Sequence, residues 1–306
     1  MTVVVGGEAL VDLVPHQAGE LRAHAGGGPY NTARTLGRLD QDVHFLGCLS
    51  DDGFGALLRG QLLEDGVRLD TVVETPLPTT LALAELDEHG AATYRFYSEG
   101  TSAPALEPEA ALNALPERVD FLHVGTLGLV MEPTAMALQA VVEAVADRAL
   151  IMVDPNCRPT FIPDRGTYRR SLAATLSFAH VVKVSNDDLE YLEPGVEPIR
   201  AARTLLEDGP CVALVTLGGE GALIVTADGE TVVAAPKIEV VDTIGAGDAF
   251  GGGFIAYWRM KGLARDALGD AAAVRAATTF ACVVAARTCE RAGANPPRLS
   301  DLHGDF

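Results

Sequence analysis

The chain is predicted to be an α/β protein: a mainly parallel sheet covered by helices, with a small β-sheet set apart from it. Two observations predict this. Short β-branched runs alternate with Ala/Leu-rich segments whose apolar residues recur at helical spacing, the order that builds parallel sheets. Two other segments break that rhythm and read as strands outside the main sheet.

In chain order the β-branched runs are "TVVVGGEAL", "VHFLGCL", "DFLHVGT", "LIMVDPN", "HVVKVS" and "CVALVTLG", each about the length of one buried strand. Segments such as "PTAMALQAVVEAVAD" separate most of them and carry the helical period. The segments off the rhythm are "LVPHQAGELRAHAGG" and "TTLALAELDEHGAATYRFY". In the second, two alternating runs flank "DEHG" as in a hairpin. After "DTIGAGDAF" the chain is Ala-rich and helical through "AAAVRAATTFACVVAARTC", then closes in a Gly/Pro-rich tail. No repeat, linker or low-complexity stretch interrupts it, so residues 1–306 read as one domain with a small β insertion.

Composition narrows the function classes. With 306 residues, 48% hydrophobic and 21% charged, the chain can bury a large core. Its formal charge of −19 argues against a nucleic-acid partner, which needs a basic stripe, and reads as an acidic solvated surface. No apolar run reads as a membrane span, and the N-terminus enters a strand without a basic leader, so no membrane partner and a cytoplasmic location are expected. Cys48, Cys157, Cys211, Cys282 and Cys289 are scattered and lack close-paired metal spacing. They read as buried or inert thiols.

The stretch "DTIGAGDAF", Asp242 to Phe250, stands between the β-branched "IEVV" and the apolar "FIAYW" and is followed by Gly251, Gly252 and Gly253. A strand feeding glycines into a helix start is a way to hold phosphate, because free N–H groups and the helix dipole point at the anion. A Walker loop is excluded, since no Gly-Lys-Ser or Gly-Lys-Thr exists in the chain. A dinucleotide fingerprint is disfavoured: Phe250 stands where the third glycine belongs, and little but helix follows. The remaining reading is an anion hole from the N–H groups of Gly245, Ala246 and Gly247, with Asp248 beside it.

A carboxylate placed where phosphate binds costs electrostatic energy unless it has another task, and taking the proton of an incoming hydroxyl is one. The competing reading is a helix cap, a role that Asp fills well. An isolated Gly-Asp favours the cap; the surrounding motifs reverse that preference.

Those motifs resemble the ribokinase-like (PfkB) carbohydrate kinases. "DTIGAGDAF" is similar to their C-terminal signature and "GGGPYNTARTLGRL", Gly26 to Leu39, to their N-terminal one. The resemblance covers essentially the whole chain. "GEALVDLVP", "YRFYSEGTSAP", "DPNCRP", "KVSNDDLEYL" and "RAGANPP" resemble the fructokinase branch most. The family implies a three-layer αβα sandwich with a β-sheet lid, which maps to about residues 12–27 and 77–98.

Carried over by motif, the resemblance implies that Asp248 is the catalytic base and that Gly245, Ala246 and Gly247 stabilise the transferred phosphoryl group. The helix terminus is expected to keep Asp248 ionised and weakly basic; a loose phosphoryl transition state tolerates that, because proton removal comes late. On the acceptor side it implies Asp12, whose carboxylate can accept from two adjacent hydroxyls. Gly27 and Gly28 would admit the sugar close to the backbone, and Asn31 would offer both donor and acceptor. "DPNCRP" contributes Asp154, Asn156 and Arg158 at a strand end, where open α/β sheets bind ligands. Phe96 and Tyr94 from the lid would cover the sugar, although an aromatic on a hairpin serves equally as lid core. Strand alternation turns Arg95 to the other face.

On the nucleotide side, "KVSNDDLEYL" places Lys183 and Ser185 near phosphate. It departs from the family's Asn-x-x-Glu, with Ser185 at the Asn position and Asp188 at the Glu position, so the shorter Asp188 would reach Mg²⁺ through water. "VTLGGEGA" would line ATP with Thr216, Gly218 and Gly221; alone it reads as a glycine turn before a strand. "RAGANPP", through Gly293 and Asn295, would close the adenine side and help Asp242 and Thr243 hold a monovalent cation, K⁺.

The resemblance thus implies an ATP-dependent kinase that phosphorylates a primary hydroxyl of a small sugar, fructose first. The alternatives are a 2-keto-3-deoxygluconate kinase, a ribokinase, a nucleoside kinase, a sugar-binding regulator without catalysis, or, against the missing third glycine, a dinucleotide-binding protein. Retention of Asp248 and of both anion-hole glycines speaks against the regulator. The exposed edge of a lid sheet would permit a homodimer or a monomer.

Overall fold

The computed structural model describes residues 1–15, 20–86 and 92–302. The chain opens with β1 (Val3–Gly6), β2 (Leu10–Pro15), β3 (Leu21–Gly26) and helix α1 (Gly28–Arg38), then β4 (Val43–Leu46), β5 (Cys48–Ser50), α2 (Gly53–Glu64) and β6 (Val73–Thr75). Next come β7 (Leu81–Leu86), β8 (Ala92–Tyr97), α3 (Pro108–Ala114), β9 (Phe121–Gly125), α4 (Thr134–Val145), β10 (Leu150–Asp154) and α5 (Arg165–Leu176). The C-terminal part holds β11 (Val181–Ser185), α6 (Asn186–Leu192), α7 (Pro198–Glu207), β12 (Val212–Thr216), β13 (Ala222–Thr226), β14 (Gly229–Val233), α8 (Ala246–Met260) and α9 (Ala271–Cys289).

The β-branched runs explain the layering. The main sheet has eight strands in the order β14-β13-β12-β11-β10-β9-β1-β4. Its strands from β12 to β4 are parallel, and all six expected runs supply them. Alternate residues face opposite sides. Val3, Val5, Phe121, Met152 and Leu214 point to one core with residues of α1, α2, α8 and α9. Val4, Leu122, Val153 and Val215 point to a second core with residues of α3, α4, α5 and α7. Both faces are covered, hence the near-continuous apolar runs.

Three features differ from the sequence reading. The far edge of the sheet is an antiparallel extension, β12-β13-β14; Gly229 lets the last turn reverse. "IEVV", read as a strand, forms none: Val240 and Val241 are 59% and 62% exposed. A β-branched run with nothing to pack against has no reason to pair. The third is α9, nineteen residues and apolar enough by composition to cross a membrane, which the sequence reading passed over. More than half of it is buried inside the molecule, where it packs against α8 as a core helix.

The off-rhythm segments form a separate four-stranded sheet, β3-β2-β7-β8. The pairs β2–β3 and β7–β8 are antiparallel and β2–β7 is parallel. The "DEHG" turn lies outside the described residues, as do residues 16–19 of the proposed lid. Leu10, Ala82, Ala103, Leu127 and Met131 make a third apolar cluster, joined by Phe96, where this sheet meets the main body.

Helix α8 explains the glycine run. It lies between α1 and α9, and a Cβ on Gly252 would stand 2.7 Å from Thr35 Cγ2. One on Gly253 would stand 3.0 Å from the Cα of Ala281. These glycines let three helices approach closely, a packing gain set against their poor helix propensity.

Candidate active site

Parallel strands end together, so the loops after β1, β9, β10, β11 and β12 converge on one rim, the rim where open α/β sheets take ligands. There, between the main sheet and the four-stranded sheet, lies a cavity of about 1000 Å³. Gly27, Gly28, Asn31 and Asp12 form part of one end, with Tyr94 and Phe96. Thr216 and the Gly218–Gly221 loop form part of the other, with Ile238, Val240 and Ile244. The Gly245–Asp248 segment also lines it.

Gly245 sits in the left-handed region, φ 76°, as the N-cap of α8, and its side of the helix carries no side-chain cap. The first-turn N–H groups are therefore not capped by a side chain, as an anion site requires. Asp248 does not cap. It is 8% exposed and turned inward, where Asn31 Nδ2 donates to its Oδ2 at 2.9 Å. Burial pushes the Asp248 carboxyl above its usual range, against the pull of Asn31, Lys183 and Arg158. This corrects the expectation of a weakly basic group: desolvation outweighs the helix terminus.

Asn31 Oδ1 is buried and has no partner, so this side chain still has an acceptor to offer. Asp12, on β2, is pushed up to about 6 by burial, with Arg158 opposing and Asp248 adding to the shift. Asn156 adopts φ 37° at the end of β10, and its Oδ1 accepts from Arg158 Nη1 at 2.7 Å. Phe96 packs edge-on against Phe161, centroids 4.6 Å apart. Arg95 pairs with Glu85 at 2.8 Å and is no part of the cavity wall, as strand alternation requires.

Two cations line the cavity, Arg158 and Lys183. Lys183 is 3% exposed and donates to Asp154 Oδ2 at 2.8 Å. Burial opposes its charge, but Asp154, with help from Asp188 and Asp248, raises its pKa overall. A Cβ on Gly247 would stand 3.0 Å from Lys183 Nζ, so the ammonium lies beside the first turn of α8. Asp154 itself is not in the wall; it holds the lysine.

Besides Asp154, the residues Asp188, Asn295 and Asp242 also make contacts outside the cavity wall. Asp188 forms a capping box with Ser185 at the start of α6. Its Oδ1 accepts from Cys157 N at 2.6 Å and its Oδ2 from Ser185 N and Oγ, both at 2.7 Å. Asp187, next to it, is exposed and lines the cavity, as does Glu220. Asn295 is outside the wall, its Oδ1 accepting from Arg38 Nη1. Asp242 bridges two loops, accepting from Ile244 N at 3.0 Å and from Gly293 N at 2.8 Å.

Glu8 escaped the sequence reading. It is buried in the wall, and its carboxylate gathers Gly28 N at 3.1 Å, Gly128 N at 2.9 Å and the Thr126 hydroxyl. Burial pushes it up to about 7. It joins the start of α1 to the loop after β9. The one available signal was an acid two residues beyond a fully apolar strand.

The site thus sets a buried carboxylate at a helix N-terminus beside a group of acceptors and donors, and the chain that builds it matches the pfkB family of carbohydrate kinases over residues 2–301. The chain belongs to the pfkB family of carbohydrate kinases. It is 34% identical over 261 residues to a fructokinase of Rhizobium leguminosarum bv. trifolii, covering 84% of this chain and 79% of that one. Its fold is similar to that of a fructokinase from Xylella fastidiosa solved with bound ATP: TM-score 0.89, 27% identity, covering 99% of this chain and 97% of that one. It is also similar to a fructokinase from Vibrio cholerae O395 solved with fructose, ADP and a calcium ion. There the TM-score is 0.85 and the identity 26%, with 96% of this chain and 94% of that one covered. The fold is thus ribokinase-like, and this pfkB protein is a carbohydrate kinase, a transferase with an alcohol group as acceptor.

Proposed function

We propose that this kinase transfers the γ-phosphoryl group of ATP to a primary hydroxyl of fructose. The observation that carries the reading is the buried Asn31–Asp248 hydrogen bond. It ties the acceptor end of the cavity to the start of α8, so a hydroxyl held by Asn31 lies beside the carboxylate. The hydroxyl oxygen attacks phosphorus, its proton passes to Asp248, and ADP leaves with the electron pair of the broken P–O bond. The Gly245, Ala246 and Gly247 amides receive the charge that develops on the phosphoryl oxygens. Lys183 adds a positive charge at the same end.

Fructose is favoured over an acid sugar by charge. The acceptor end carries Asp12 and Asp248, and the one cation near it, Arg158, is already engaged by Asn156. The exposed Arg158 keeps 2-keto-3-deoxygluconate as the second reading, because a guanidinium is the natural partner of a carboxylate.

Mg²⁺ bound with the triphosphate would supply charge neutralisation there. Asp188 does not fit as its direct ligand, both oxygens being taken, whereas Asp187 presents an exposed carboxylate. Asp242 and Thr243 would hold K⁺, which would stiffen the turn that they precede. The four-stranded sheet, bearing Tyr94 and Phe96, serves as a lid within a single domain. Its edges β3 and β8 allow pairing with a second copy, which sedimentation velocity distinguishes from a monomer.

ADP release measured with fructose, ribose, 2-keto-3-deoxygluconate, adenosine and fructose 6-phosphate tests the acceptor. Fructose should give the highest kcat/KM, and Arg158→Met should weaken its use only modestly. If fructose is poor throughout and Arg158→Met selectively abolishes the acid sugar, the acid-sugar reading takes its place. Running the same panel in K⁺ and Na⁺ at matched ionic strength tests the cation: equal rates remove that site.

A further inference from the structure

Asp65 closes α2 and is 2% exposed. Its Oδ2 accepts from Arg34 Nε and its Oδ1 from Arg38 Nε, both at 2.7 Å. None of these three residues lines the cavity. A buried carboxylate fixing two guanidiniums is expensive to build and weak evidence for stability, so what the guanidiniums do with their other N–H groups matters. Arg34 Nη1 donates to the carbonyl of Ala294 at 3.0 Å. Arg38 Nη1 donates to the carbonyl of Pro296 at 2.6 Å and to Asn295 Oδ1.

The other side of that loop bears on the start of α8. A Cβ on Gly245 would stand 2.7 Å from Ala294 Cβ, so the loop is packed directly against the left-handed N-cap. Gly293 N donates to Asp242 Oδ2, the carboxylate that also receives Ile244 N. Residues 293–296 are therefore a wedge, gripped by two arginines of α1 and pressed onto the turn before Ala246. Helix α1 carries Asn31 as well, one turn ahead of Arg34.

We propose that Asp65, Arg34 and Arg38 are positioning residues for the phosphoryl-transfer turn, acting through residues 293–296. The proposal rests on the reading of Gly245–Gly247 as phosphoryl donors. Asp65 fixes the planes of the two guanidiniums, the guanidiniums fix the loop carbonyls, and Ala294 fixes Gly245. A planar fork does this in a way that a flexible ammonium does not. Acceptor and phosphoryl ends are thereby referred to one helix, which holds the attacking oxygen in line with phosphorus.

The test compares Arg38→Lys, Asn295→Ala and Asn295→Asp in the full chain. Arg38→Lys keeps a charge for Asp65 and loses the fork; Asn295→Ala removes only the loop end; Asn295→Asp restores an acceptor. A misplaced turn should lower kcat by about 5- to 50-fold in the first two variants, with KM for sugar and ATP changed by about twofold or less. Asn295→Asp should recover most of kcat. A fall in melting temperature with kcat unchanged in the folded protein makes the cluster merely structural and overturns the proposal. So does a rise in ATP KM alone in Asn295→Ala, which makes Asn295 a nucleotide contact. Gly247→Val separates the two levels: if it stays active, the phosphoryl-donor reading fails; if it is dead while Arg38→Lys is normal, only the clamp fails.

Discussion

Asp12, Glu8 and Asp248 are acids whose carboxyls burial has pushed upward, to about 6, about 7 and in the same direction respectively. For an acid whose folded pKa is raised, protonation favours the folded state. The stabilisation is complete below the unfolded value and is lost as pH rises through the folded one. These three acids should therefore add thermal stability to the ligand-free protein as pH falls from 8 to about 5.5, opposed over that range by His123 and His180, which burial holds down to about 3 and about 4. Function should run the other way. Asp12 can accept from two adjacent sugar hydroxyls through both oxygens only when ionised, so the acceptor KM should rise as pH drops through about 6. In Asp12→Asn it should be high and flat over that range. A wild-type KM indifferent to pH between 5 and 8 would remove Asp12 from the sugar site. Much at this scale was legible: Asp248 and Asn31 stand in the two signature motifs, and the structure joins them. Asp188 is read from the sequence only through its family position, as reaching a metal through water, and its part in the helix start goes unread. Its spacing after Ser185 was also that of a capping box, and the backbone N–H groups at a helix start claimed it first. Asp65 and its arginines left no local signal, since Asp65 lies 31 and 27 residues from Arg34 and Arg38, and the loop that the arginines hold lies more than 250 residues further along the chain.

At the scale of elements, α8 answers to two kinds of glycine. Gly247 lies in the helical region, not at positive φ, and a Cβ there meets only the far end of the Lys183 side chain. Gly252 meets Thr35, and Gly253 meets the backbone of α9. Gly247→Val should therefore leave the melting temperature close to wild type while blocking phosphate approach, and activity should collapse. Gly252→Val should overpack the α1–α8 contact and destabilise by about 1–3 kcal/mol. Calorimetry beside activity checks the contrast, and equal destabilisation in both would place Gly247 in the packing class. The six parallel strands were readable because strands buried on both faces are apolar without interruption. "IEVV" has the same β-branched character and is no strand. Composition reports what a segment could pair with, and here Val240 and Val241 stay exposed and outside any described strand.

For the whole molecule, the cavity lies between the eight-stranded sheet and a smaller sheet that meets the body through apolar contacts. If the smaller sheet is a lid, a bound sugar should draw Tyr94 and Phe96 down and protect the backbone of β2 and β8. Hydrogen exchange with and without fructose plus a non-hydrolysable ATP analogue reads this directly. Protection confined to the loops of the main sheet would leave the small sheet a fixed wall.

The central claim is that Asp248 takes the acceptor proton and does not merely shape the helix start. Asp248→Asn keeps the size of the side chain and removes the base. In single-turnover assays with saturating ATP and fructose, the transfer rate should fall by about 10²–10⁴-fold, while both ligands bind with nearly wild-type affinity. A variant that transfers phosphate at close to the wild-type rate would contradict the assignment.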